Sequence, residues 1–241
     1  MANFNTHFTV AAGASALVSA TLLSMEVVSP QEAVVAFAIG TLGGLLPDVD
    51  SAHSKSIKVG FNVLSLLITI MLIFVKSSTY SLIEMLIMSV LVFSGIRYAF
   101  LGFFRKISKH RGMFHTIPVA VIWAIVIAIL CQWFFDLNSL ISWVYGVMIC
   151  LGYLVHLTLD ELYSVDLGNR RMKKSSGTAL KFGMFKNRQQ QVHTAIIYAM
   201  IPILFALAPD MEMIQSALFS KDAWLNFKDI ILPYDGRWFF H

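Results

Sequence analysis

Histidine and aspartate gather at the edges of the apolar stretches of this chain. His7 opens the first stretch; Asp48, Asp50 and His53 follow the second in L-L-P-D-V-D-S-A-H; His110 and His115 precede the fifth in H-R-G-M-F-H; His156 and Asp160 close the sixth in H-L-T-L-D. Imidazole and carboxylate are the usual ligands of zinc and similar divalent ions, and a carboxylate can also bridge two of them. A spacing of four puts His156 and Asp160 on one helix face, one turn apart, where they can grip a single ion. Pro47 ends a helix ahead of Asp48 and Asp50, so a non-helical turn can aim both carboxylates into one pocket. His110 and His115, five apart with Gly112 between them, suit a loop entering a helix. One of them can bind metal while the other supports a ligand or acts on the substrate. Taken singly, each has a plainer reading: His7 as an interfacial residue, His156 and Asp160 as an intrahelical hydrogen bond, D-V-D as a turn device. The argument for a metal site is their convergence.

The elements that must position these groups are membrane helices. Of 241 residues, 57% are hydrophobic and 13% charged, against about 25% charged in a soluble domain. The apolar material falls into runs long enough to span a bilayer, which takes roughly 20 residues. The expected fold is all-α, a polytopic transmembrane bundle of about seven apolar helices, near 8–25, 31–46, 57–75, 80–101, 113–135, 139–163 and 192–209. The first two are short, rich in Ala and Gly, and suited to pack as a tight pair. Residues 1–209 form one membrane-embedded domain that includes a basic loop at 164–191. Residues 210–241, with Trp224, Trp238, Phe239 and Phe240, read as an interfacial tail. Met1 to Thr6 carries no Lys or Arg, so the first helix is expected to be retained rather than cleaved as a signal. Cys131 and Cys150 lie inside apolar runs without metal-type spacing, which argues against a disulfide framework and a zinc-thiolate site.

The net charge of +4 is spread over loops between apolar runs, which points to membrane orientation and not to nucleic acid. With the N-terminus in the cytoplasm, the loops after helices two, four and six carry Lys55, Lys58, Arg105, Lys106, Lys109, Arg111 and the basic residues of 164–191. The opposite connections hold only Lys76. This orientation, derived from Lys and Arg alone, also places His7, Asp48, Asp50, His53, His110, His115, His156 and Asp160 on one side. His193, at the start of the seventh helix, shares that side. Polar groups next to lipid are costly, so a one-sided cluster of this size argues for function.

With L-P-D-V-D upstream of H-R-G-M-F-H and G-Y-L-V-H-L-T-L-D downstream, residues 1 to about 165 resemble the YdjM-like family of inner-membrane metal-dependent hydrolases, a family similar in ligand style to zinc-dependent phospholipase C. The resemblance matches His7, Asp48, Asp50, His110, Arg111, His115, His156 and Asp160. It departs at His53, which follows Ser51-Ala52 where the family often has His directly after Asp-x-Asp. The expectation is a hydrolase of the bacterial inner membrane that binds one or two divalent ions, zinc foremost, through His7, Asp48, Asp50, His115, His156 and Asp160. Asp50 and His110 are the expected acid–base groups, and Arg111, always cationic, would hold a phosphate or developing negative charge. Its substrate would be an ester or phosphoester of a lipid or lipid-linked molecule, cleaved by a metal-activated water. The rival readings are a metal or proton transporter and a non-catalytic membrane protein with a structural metal.

Overall fold

A computed structural model of the chain describes residues 4–47, 80–100, 115–166, 171–172, 180–185 and 187–219, together with 62, 65, 66, 68–70, 72 and 73. Its helices are α1 (Phe4–Ser24), α2 (Pro30–Gly43), α3 (Leu82–Ser94), α4 (Ile117–Phe135), α5 (Ser139–Ser164), α6 (Arg188–Phe205) and α7 (Glu212–Phe219). The described residues between 62 and 73 are helical as well. Two-residue strands, β1 (Val165–Asp166) and β2 (Arg171–Met172), pair antiparallel just beyond α5.

Among the described helices three are long and apolar enough to cross a membrane: Phe4–Ser24, Ile117–Phe135 and Ser139–Tyr163. Of the seven expected spans, these three meet that standard among the described residues, and most of the run at 57–75 lies outside them. Helical residues do occur in every apolar run, but helix boundaries cut several of them short. α2 stops at Gly43, short of residue 46, because the ring of Pro47 bars the carbonyl four residues before it. α3 gives way to a π-helical stretch at Gly95–Phe100, and α6 spends its first turn on Arg188, Gln189, Gln190 and Gln191.

α5 is the central helix, packed by α1, α2 and α4. Tyr145, Met148, Tyr153, His156 and Leu157 along it are almost wholly buried. Close approach of the backbones makes this possible. A Cβ on Gly152 would run into the carbonyl oxygen of Gly40, one on Gly43 into that of Ile149, and one on Gly146 into that of Ala124. Small residues at these crossings let helices pack backbone to backbone, the main source of helix association where lipid replaces water. The α4–α5 hairpin turns through Asp136 in the left-handed region, at φ 54°, and Asn138 Oδ1 then accepts from the Ile141 amide to start α5. Residues beyond 209 do not all trail away: Ile214 on α7 is buried against Ile125, Ala128 and Trp143.

Candidate metal centre

Three helix ends meet at one end of the bundle. His7 lies in the first turns of α1, His115 in the bend before α4, and His156 and Asp160 in the last turns of α5. α4 cannot begin earlier, since Thr116 is extended (φ −139°, ψ 145°) and Pro118 sits in the first turn, where its missing N–H costs nothing. His115 is thereby held on non-helical backbone, free to turn toward Asp160.

The carboxylate of Asp160 is the hub. His7 Nε2 stands 3.3 Å from its Oδ1, while His115 Nε2 and His156 Nε2 each stand 3.6 Å from Oδ2. The rings of His7 and His156 stack at 3.7 Å between centroids, 12° from parallel, and His115 meets His156 edge-on at 5.8 Å. All four side chains are buried, His7 and His156 at 1% and 0% exposure. One ligand atom each from His7, His156 and Asp160 lies within 4.8 Å of the others, so this group can hold a metal ion.

Two observations show that the residues suit a cation. Neither nitrogen of His7 nor Nε2 of His115 has a hydrogen-bond partner among the described residues, although an unsatisfied buried polar group ordinarily costs about 1–3 kcal/mol. The second is the tautomer of His156. Its Nδ1 lies 2.7 Å from the carbonyl oxygen of Gly44; a carbonyl only accepts, so Nδ1 carries the proton. In the neutral ring Nε2 is then a lone pair facing the carboxylate of Asp160. Two acceptors turned toward one another call for a positive charge between them: a proton on Nε2 answers that need, and so does a divalent ion with nitrogen and oxygen ligands.

The structure thus brings together His7, His115, His156 and Asp160 of the residues expected from sequence. Asp48, Asp50, His53, His110 and Arg111 lie outside the described residues. His193, on α6, is not among the groups that converge on Asp160. Sequence reading missed Gly44, whose carbonyl orients His156. The signal was present in Gly43-Gly44: a Cβ on Gly44 would strike the side chain of Ala11, so this backbone sits against α1 one turn below His7. It also missed the chain from Leu180 to Phe185, whose Lys181 carbonyl accepts from the amide of Ile117 beside His115.

Long apolar helices and a buried His/Asp cluster at their ends define a membrane protein with a candidate metal centre. The family model for the YdjM inner membrane protein matches residues 1–168, and the chain belongs to that family. The matched region ends just beyond α5 and so contains His7, His115, His156 and Asp160. No curated protein and no solved structure matches the chain at a significant level.

Proposed function

We propose that this chain is a multi-pass inner-membrane hydrolase that depends on a divalent metal, zinc foremost, and cleaves an ester or phosphoester of a lipid or lipid-linked substrate at the cytoplasmic face. The observation that carries the reading is the lone pair of His156 facing the Asp160 carboxylate, with His7 and His115 directed at the same point. A divalent ion held there supplies Lewis acidity and draws the pKa of water toward neutrality. The chain's own residues contribute the rest. His7, His156 and Asp160 hold the ion, and Gly44 fixes the ring of His156. His115, the least buried of the cluster at 8% exposure, stands beside it. Asp50 and His110 are assigned the proton transfers, Asp48 a further ligand position, and Arg111 the negative charge of the substrate.

The transport reading draws on one observation. His7, Ala11, Ser15 and Ser19 form the buried face of α1, a line of positions running from the centre toward mid-membrane. Against it, a Cβ on Gly40 would collide with Ser15 Oγ, so among the described residues α1 and α2 pack tightly at Ser15. Activity decides between the readings. The purified protein in detergent, loaded with zinc, is expected to hydrolyse a phosphodiester or carboxyl ester of a lipid and to lose that activity with a chelator. Metal uptake into vesicles without any hydrolysis would overturn the proposal.

A further inference from the structure

The segment Leu180–Phe185 is tied down at both edges. Lys181 O accepts from Ile117 N at 2.9 Å, and residues Thr116 and Lys181 pair in parallel. On the other side Thr194 Oγ1 both accepts from the Met184 amide and donates to its carbonyl, each at 3.0 Å. Tyr198 Oη donates to Phe182 O, and Gln191 Nε2 to Phe185 O. Gly183 has no room for a side chain, since a Cβ there would meet Thr194 Cγ2 at 2.7 Å. The segment is thus a fixed strap between the start of α4 and the start of α6, one residue along the chain from His115 at its α4 side.

This well-anchored strap turns its large apolar side chains outward: Phe182 is 67% exposed and Phe185 62%. The exposed surface continues along α6 through Val192, Ile196 and Ile203, a stripe at helical spacing, while Ile197, Ile201 and Leu204 of the same helix pack inward. That stripe starts where the polar turn Arg188–Gln191 ends, and the strap is bonded to the same stretch of α6 through Gln191 and Thr194. Lys181 lies within the strap and Arg188 three residues beyond it, and among the described residues neither has an acidic partner. Aromatic rings beside cations at the edge of an apolar surface are the composition of an interfacial contact with anionic lipid.

We infer that the strap Leu180–Phe185 inserts into the leaflet on the side of the metal centre and forms its lipid-facing doorway, with an anionic phospholipid as occupant. Phe182 and Phe185 lie among the acyl chains, and Lys181 and Arg188 hold the phosphate of the headgroup. That this phospholipid is also the substrate rests on the hydrolase reading above. The doorway itself does not, and it is tested without any assay of activity.

The full chain, with Cys131→Ala and Cys150→Ala, carries a nitroxide at Phe182→Cys and is reconstituted into vesicles of phosphatidylcholine and phosphatidylglycerol in equal parts. Collisions with oxygen, which concentrates in hydrocarbon, are expected to exceed collisions with a water-soluble nickel chelate several-fold. A label reached more readily by the chelate would overturn insertion. Lipid retained by the unlabelled protein through purification is then measured by mass spectrometry. Phosphatidylglycerol is expected to be enriched several-fold over phosphatidylcholine, and the enrichment to vanish in the Lys181→Ala, Arg188→Ala double variant. Equal retention of both lipids by the original chain, or undiminished enrichment in the variant, would overturn the anionic occupant. A protein that passes both tests yet hydrolyses no lipid would leave the doorway standing and remove the hydrolase.

Discussion

α2 and α3 begin alike and end in opposite surroundings. Each opens with a capping box, Ser29 with Glu32 and Ser81 with Glu84, in which the serine hydroxyl accepts from the glutamate amide and the glutamate carboxylate accepts from the serine amide. They have nearly the same length, 14 and 13 residues. Yet α2 buries Ala33, Ala36 and Gly40–Gly43 against α1 and α5, whereas α3 buries none of its residues among those described. The difference lies in the side chains after the cap. α2 offers Ala and Gly, which let backbones touch, and α3 offers Leu, Ile, Met and Val, which hold neighbours off and dissolve well in lipid. A capping box starts a helix; the size of the following residues decides whether it packs closely against its neighbours.

The largest effect that would break this comparison is expected at Gly152. Replacing it by Leu drives a side chain into the Gly40 carbonyl, which has no room to yield, and the α2–α5 contact is expected to be lost, with little folded protein recovered by size-exclusion chromatography in detergent. The same replacement at Gly95, around which a Cβ would find open space, is expected to leave recovery unchanged. Next comes Gly44→Ala, which presses on Ala11 and shifts the carbonyl that orients His156; metal affinity is expected to fall about 10–100-fold, the usual consequence of losing such an outer partner, in a competition titration with a chromogenic chelator. Ser29→Ala and Ser81→Ala sharpen the comparison, because caps act locally: each is expected to cost about 1 kcal/mol of stability in a mild-denaturant titration, the buried helix and the exposed one alike. The smallest effect is expected at Leu86→Ala on α3, within about 0.5 kcal/mol in the same titration, since Leu86 is 62% exposed.

The same contrast explains what could be read from the sequence. His7, His115, His156 and Asp160 were legible because their chemistry sits badly beside apolar runs, and because the balance of Lys and Arg in the loops put them on one side before any coordinates did. The packing of α1 with α2 was legible from their Ala and Gly content. Where the helices end was not, since a hydropathy window sees apolar residues but not the carbonyl that Pro47 displaces or the π-helical turn at Gly95. The strap at Leu180–Phe185 was read as part of a basic loop, because its order comes from long-range bonds to Ile117, Thr194 and Tyr198 that leave no local pattern. Gly43-Gly44 signalled close backbone packing but not that Gly44 partners His156, since that bond joins residues 112 apart in the chain.

The central claim is that His7, His156 and Asp160 hold a divalent ion, and the most direct test is the metal content of the purified protein. Elemental analysis after gel filtration should find zinc or a similar divalent metal bound to the original chain. Asp160→Asn keeps the shape of the hub and removes its charge, so that variant should emerge with the metal largely lost while eluting as the same folded species. Equal metal in both, or none in either after incubation with zinc, would contradict the account.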